Sequence, residues 1–301
     1  MEQSKITRAL SRDGGARIIF ASTTSVVQKA HEIHNTSKTM TAALGRCLTG
    51  CALMGSLLKD KDNALTLQFM GDGPAGTICC VSDYKGNVRG YAQHPEVELP
   101  PNAKGKLDVG GAIGQGMLTV SKDLGLAEPY TGLSDLVSGE VAEDITNYYA
   151  VSEQTPTVCA LGVRCDTDCN CVAAGGYLLQ LLPGAEEWMI DILEKNVAKI
   201  PSVSAAVALP DAAENVIATL FDGIEYDIFD DWDIDYVCSC SRERYERALV
   251  TLGRDELARL RDEARADGRD IETVCSFCGK TYSFTADELD AILNGTGETE
   301  P

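Results

Sequence analysis

Histidine is scarce in this chain: His31, His34 and His94 are the only three in 301 residues. None stands in company that suggests a catalytic triad, and no paired carboxylates or nucleophile elbow stand out elsewhere. The chain therefore reads as a non-enzyme. Long apolar runs are missing too, and no stretch reaches the roughly 18 apolar residues that a membrane-spanning helix needs. Residues 1–8 hold neither the apolar core nor the cleavage site of a secretory signal. A cytoplasmic protein is expected, in a compartment where thiols stay reduced and a structural disulfide framework is disfavoured. Bases are outnumbered, 26 Lys and Arg against 46 Asp and Glu, for a net charge of −20. So acidic a surface repels phosphate backbones and anionic lipids, which argues against nucleic acid and membranes as partners.

Cysteine is plentiful by contrast, with twelve in the chain. Four fall in two tight pairs, Cys238-Ser239-Cys240 and Cys275-Ser276-Phe277-Cys278. Each short pair can offer two thiolates from one turn, and two pairs satisfy the tetrahedral preference of zinc. Cys238, Cys240, Cys275 and Cys278 are the expected ligands of one zinc ion. The module around them, residues 237–295, has few large apolar side chains and needs such a staple. A purely structural zinc is the plain reading, since most such sites only hold a fold. Two details speak for more. A single residue separates Cys238 from Cys240, where structural sites usually have two or more. Arg242, Arg244, Arg247 and Lys280 also lie near the pairs, where they would offset the charge of four thiolates and keep them open to oxidants. Spacings this short equally allow a disulfide within each pair, which would expel the metal.

The other thiols carry weaker signals. Cys165, Cys169 and Cys171 surround a predicted hairpin turn, but three thiols without a nearby histidine do not complete a ligand set, and reduced bystanders are the default. Cys47 and Cys51 share one face of a helix and read as core, while Cys79 and Cys80 are neighbours in a strand and point opposite ways. Gly71-Asp72-Gly73-Pro74-Ala75-Gly76 imitates a dinucleotide-binding loop. A strand follows it instead of a helix, so no helix N-terminus awaits a phosphate and nucleotide binding is not expected.

Periodicity places strands at 17–21, 64–70, 77–82, 88–92, 116–120, 157–164 and 172–182, with helices from about 35 to 58 and from 140 to 151. Strands joined mainly by hairpins predict an α+β fold built on a largely antiparallel sheet. Residues 1–188 form this N-terminal domain. Residues 189–236 follow as a linker: an amphipathic helix, a second helix opened at Asp211 by a capping box with Glu214, and a stretch from Asp222 to Asp235. That stretch holds seven acids and no base, alternating with apolar residues, and reads as a solvated edge strand. The zinc module spans 237–295, with helices after Ser241, from Arg254, and from a capping box at Thr285; a frayed tail, 296–301, ends the chain.

Cys238-Ser239-Cys240-Ser241-Arg242-Glu243-Arg244 followed by the Cys275–Cys278 knuckle resembles the redox-regulated 33-kilodalton heat-shock chaperone family. The likeness continues in Thr41-Ala42-Ala43-Leu44-Gly45-Arg46, Arg89-Gly90-Tyr91, Pro129-Tyr130-Thr131-Gly132 and Ser138-Gly139-Glu140-Val141-Ala142. It extends to Ser152-Glu153-Gln154-Thr155-Pro156, Ala174-Gly175-Gly176-Tyr177 and Leu181-Leu182-Pro183-Gly184-Ala185, so it covers nearly the whole chain. The resemblance implies a cytoplasmic, ATP-independent holdase, zinc-bound and inactive when reduced. It implies disulfides Cys238–Cys240 and Cys275–Cys278 on oxidation, loss of zinc, melting of module and linker, capture of unfolding proteins, and a homodimer in the active state. The chain departs from the family in its extra cysteines and in a longer stretch between the two pairs, expected as a lengthened loop at 264–269. The rival readings are a thiol oxidoreductase, for which the setting of the CxxC pair is wrong, and a zinc adaptor for nucleic acid, which the charge disfavours.

Overall fold

A computed structural model describes residues 2–200 and 202–295; the expected tail at 296–301 lies outside the described residues. The chain divides into two compact units between Val237 and Cys238.

The first unit opens with β1 (Lys5–Ser11), β2 (Ala16–Ser22), α1 (Thr24–His34) and α2 (Lys38–Gly55). It continues through β3 (Ala64–Gly71), β4 (Thr77–Asp83), β5 (Val88–Ala92), α3 (Val109–Ile113), β6 (Gly116–Asp123) and β7 (Tyr130–Asp135). Next come α4 (Ala142–Val151), β8 (Thr157–Cys165), β9 (Cys171–Leu181), α5 (Glu187–Val197), α6 (Val203–Val207), α7 (Ala212–Leu220) and β10 (Tyr226–Asp233). The strands make two five-stranded sheets, ordered β10-β1-β2-β9-β8 and β5-β4-β3-β6-β7, and every strand pairing in them is antiparallel. The α+β class is as the hairpins predicted, with the strands shared between two sheets.

Alternation along the strands explains how the layers stack. In β2, Ile19 and Ala21 enter one core with α1, α2, α4 and the second sheet, while Ile18 and Phe20 enter another with α5 and α7. Successive strand side chains point to opposite faces, so the first sheet is covered on both. Helix α2 packs against both sheets, and nearly all its residues are buried, Cys47 and Cys51 among them. Its start is secured by Ser37, whose hydroxyl accepts from the Met40 amide. Asp211 departs from expectation: it sits at the start of α7 in a left-handed conformation with no side-chain cap bond.

Residues 189–236 fold with the first unit, contributing most of α5, all of α6 and α7, and the edge strand β10. Each of the seven acids from Asp222 to Asp235 meets a base from elsewhere. Lys199 reaches Asp222, Arg12 reaches Glu225 and Asp227, Arg8 reaches Asp230, Lys5 reaches Asp231 and Asp233, and Lys29 reaches Asp235, all at 2.7–3.9 Å. Their mutual repulsion is thus offset by bases placed by β1, the turn after it, α1 and the turn after α5. Phe229 is already exposed, whereas Ile224, Ile234 and Tyr236 are buried.

In the imitation phosphate loop, a Cβ on Gly71 would lie 1.8 Å from the Ile113 carbonyl oxygen, so glycine there permits close backbone packing. The loop leads from β3 into β4, as the sequence indicated.

The second unit holds α8 (Arg242–Val250), α9 (Arg254–Asp267), the hairpin β11 (Ile271–Val274) and β12 (Thr281–Phe284), and α10 (Ala286–Gly295). It has a small core of its own, formed by Leu249, Leu257, Ala264, Tyr282, Phe284, Leu289 and Leu293. Two helix starts are capped, and the box at Thr285 is the predicted one. Ser241 accepts from the Arg244 amide, and Thr285 and Glu288 exchange side-chain to backbone bonds at 2.8 and 3.2 Å. The segment 264–269 corrects an expectation: α9 runs on to Asp267 and Gly268 closes it in the left-handed region, so these residues extend a helix instead of a loop.

Candidate metal centre

Two local structures bring the four cysteines together. Cys238 and Cys240 lie on the extended approach to α8, with Ser241 as its cap. Cys275 to Lys280 form the tip of the β11–β12 hairpin. There the Cys275 amide donates to the Lys280 carbonyl at 2.9 Å and the Gly279 amide to the Cys275 carbonyl at 2.8 Å. Gly279 has φ +70°, a conformation that glycine adopts without the Cβ penalty, and this lets the turn close.

The four sulfurs lie within 4.8 Å of one another, the one such cluster of metal-ligand side chains among the described residues. Two approaches run between the pairs, Cys238 to Cys275 at 3.8 Å and Cys240 to Cys278 at 3.4 Å. Cys275 is buried and the other three half-buried. Four soft sulfur donors converging at one point suit zinc, whose structural sites are tetrahedral and thiolate-rich. The donor set therefore fits the ion that the spacing predicted.

The surroundings differentiate the thiols. Burial pushes Cys238 up to about 12, aided by the neighbouring cysteines. Burial also acts on Cys275, but hydrogen bonds from the Tyr245 hydroxyl and from the Phe277 and Cys278 amides outweigh it and bring this thiol down to about 6. Cys278 is raised, again first by burial. The Tyr282 hydroxyl donates to Cys240 Sγ at 3.1 Å, and the rings of Tyr245 and Tyr282 stack with centroids 4.8 Å apart. Aromatic hydroxyls thus support the sulfurs where sequence reasoning looked to cations.

The cations are engaged elsewhere. Arg242 pairs with Glu246 and Glu288, donates to the Ser283 carbonyl, and lies 4.4 Å over the Phe284 ring. Arg244 donates to the carbonyl and hydroxyl of Ser239, and Lys280 sits over the Tyr282 ring at 5.0 Å. Tyr282 could have been noticed from its place two residues beyond Gly-Lys. Its partnership with Tyr245 depends on the fold.

Cys165, Cys169 and Cys171 form no such cluster. Cys165 and Cys171 are cross-strand partners of β8 and β9, and Cys169 lies in the connecting turn with φ +68°. Cys47, Cys51, Cys79 and Cys80 are all buried, and burial raises each thiol. His34 hydrogen-bonds the Gly90 carbonyl and Tyr236 hydroxyl, His31 faces Thr36 and Thr41, and His94 faces Glu96. No helix of the described residues is long and apolar enough to cross a membrane.

Comparison with known proteins gives a consistent result. The family model described as Hsp33 protein matches residues 4–285. A 33 kDa chaperonin of Desulforamulus reducens is 44% identical over 298 residues, covering 99% of this chain and all of that one. The 33 kDa chaperonin of Clostridioides difficile is 44% identical over 289 residues, 96% of this chain and 98% of its own. Among solved structures, the crystal structure of the 33 kDa chaperonin (heat shock protein 33 homolog) of Thermotoga maritima superposes with a TM-score of 0.89. It is 36% identical and covers 99% of this chain and 100% of its own.

Proposed function

The chain belongs to the Hsp33 family of chaperones, and on that footing we propose that it is a redox-regulated, ATP-independent holdase and not an enzyme. The observation that carries the proposal is the convergence of four thiols within 4.8 Å, in a unit whose core, among the described residues, is a cluster of seven buried apolar residues. In the reduced state Cys238, Cys240, Cys275 and Cys278 hold one zinc ion. Bound zinc supplies a four-thiolate cross-link worth about 10–16 kcal/mol, against a whole-domain stability of about 5–15 kcal/mol. A unit this small depends on it.

Oxidation joins Cys238 with Cys240 and Cys275 with Cys278, two electrons leaving per disulfide, and removes the thiolates that grip the ion. Residues 189–236 act as a metastable linker between the domain of 1–188 and the redox module of 237–295. Their ion pairs lie at the surface and are individually weak, so this segment is held mainly by its apolar packing on the first unit. Release of this segment offers Ile224, Tyr226, Phe229, Trp232 and Ile234 to unfolded or oxidatively damaged proteins, and the oxidised form pairs as a homodimer. The protein works in the cytoplasm, and its acidity keeps it off nucleic acid and membranes.

The test is light scattering from a thermally unfolding client, with reduced zinc-loaded protein in one arm and peroxide-oxidised protein in the other. Suppression by the oxidised form alone is the expected result. Equal suppression by both would remove the redox control and leave a constitutive chaperone.

A further inference from the structure

The register of the β8–β9 hairpin points to a second redox site, in the first unit: Cys165 and Cys171 form a reversible cross-strand disulfide. The two residues are directly opposed, Cys165 ending β8 and Cys171 opening β9. Backbone bonding closes the pair on its turn side. The Asp166 amide donates to the Asn170 carbonyl at 3.0 Å, closing the turn, while the Cys171 amide turns away to Gln28 Oε1 at 2.7 Å. The register shifts between Arg164 and Cys165, and this bulge is what brings Cys165 opposite Cys171 instead of Val172. Opposed Cα atoms of antiparallel strands stand about 4.5–5.5 Å apart, inside the roughly 4.4–6.8 Å range that a disulfide spans.

Both side chains also share a face. Cys171 belongs to the core beneath the first sheet, and Cys165 packs against that same core. Cys169 does not, and its left-handed backbone places it in the turn. Access is one-sided: Cys171 is 3% exposed, whereas Cys165 is half-buried and lines an open cavity of about 810 Å³ with Lys38, Arg46, Lys106 and Arg164. Asp166 shares this lining and Arg46 is paired with Glu140, so among the neighbouring charges Lys38 favours the Cys165 thiolate while Asp166 and Glu98 oppose it.

The step balances with a hydroperoxide as oxidant. The Cys165 thiolate attacks the distal peroxide oxygen, the O–O bond breaks, and water or an alcohol leaves once protonated. The Cys171 sulfur then attacks the resulting sulfenic acid, losing its proton and expelling water. Two thiols have lost two electrons to one peroxide. Burial pushes both thiols up to about 12, so the reaction is slower than at a low-pKa thiol and answers to sustained oxidant.

The site is independent of the four-thiol cluster, and its test can be read separately. Full-length protein is treated with hydrogen peroxide, its remaining thiols are alkylated, and it is digested with a protease that cuts before aspartate. Such cuts put Cys165 on the peptide 144–165 and both Cys169 and Cys171 on 168–190. The expected product is these peptides joined, two hydrogens lighter than their sum, fragmenting to place the link at Cys165, and separated again by dithiothreitol. Cys169→Ser retains the link, and Cys171→Ser and Cys165→Ser lose it. No joined peptide from wild-type protein, a link through Cys169 or Cys159, or loss of the link in Cys169→Ser would each overturn the proposal. The wild-type digest decides the matter even where a variant folds poorly.

Discussion

At Cys240 a single hydroxyl bears on the whole centre. Tyr282 donates to its sulfur at 3.1 Å while stacking on Tyr245, whose own hydroxyl bonds Cys275. Donors in the shell around a metal ligand fix its orientation, and removing one commonly costs about 10–100-fold in metal affinity. Tyr282→Phe keeps the ring and the stack but removes the hydroxyl. It is expected to weaken zinc binding by about tenfold or more in chelator competition, with the fold retained by circular dichroism. Unchanged affinity would make the tyrosine a packing residue only. Cys278→Ser acts more severely, because three thiolates leave the ion short of its closed tetrahedral set. Stoichiometric zinc should vanish from that variant and the second unit should lose protection against proteolysis. A variant that purifies with one zinc per chain would refute the ligand assignment.

Among the elements, β10 is the one whose hold is most conditional. It lies at a sheet edge, its side chains are largely exposed, and it meets β1 through backbone bonds and a row of ion pairs. Its C-terminal end is better fixed. Trp232 Nε1 donates to the Lys85 carbonyl at 2.7 Å beneath Arg8, and the Tyr236 hydroxyl donates to the Gly90 carbonyl at 2.8 Å. Raising ionic strength from about 0.01 to 1 M shortens the screening length from about 30 to 3 Å. Amide exchange across 226–233 should then quicken several-fold while β9, between two strands in the sheet, is unaffected. An insensitive β10 would mean that packing alone retains it. This element also shows where reading the sequence ran short. The acids and their apolar alternation announced an edge strand, but their neutralising bases come from Lys5, Arg8 and Arg12, more than 200 positions away. Only strand register reveals those pairings.

On the scale of the whole molecule, the two units share a chain whose crossing point is short. Val237 donates its amide to the Val88 carbonyl at 3.0 Å, Tyr236 is buried, and Cys238 follows at once. Under the proposed mechanism, a change in how Cys238 is held would reach the anchor of β10 two residues away. Oxidation with loss of zinc is expected to speed hydrogen exchange throughout 238–295 and across 189–236, while residues 17–182 stay protected. Apolar-dye binding and client suppression should rise together, and reductant with zinc should reverse both. Full activity with 189–236 still protected would move the client surface to the N-terminal domain.

Composition and spacing alone determined a good deal. Local rules suffice for caps at Ser241 and Thr285, for the hairpin after Tyr84, for the helical face of Cys47 and Cys51, and for two chelating pairs. Each is a pattern over a few neighbouring residues, which is all that local physics requires. Other elements were not legible. Strand β1 lies in the polar-looking opening segment, β7 carries little apolar alternation, and β11 and β12 have four residues each. Their stability comes from partners distant in sequence. The tertiary structure also decided that the strands form two sheets, that Arg242 serves Glu288 and not the thiols, that two tyrosines stand beside the sulfurs, and that Cys165 faces Cys171. These are relations across space, and they exist only once apolar burial has folded the chain and brought remote residues within a few ångströms.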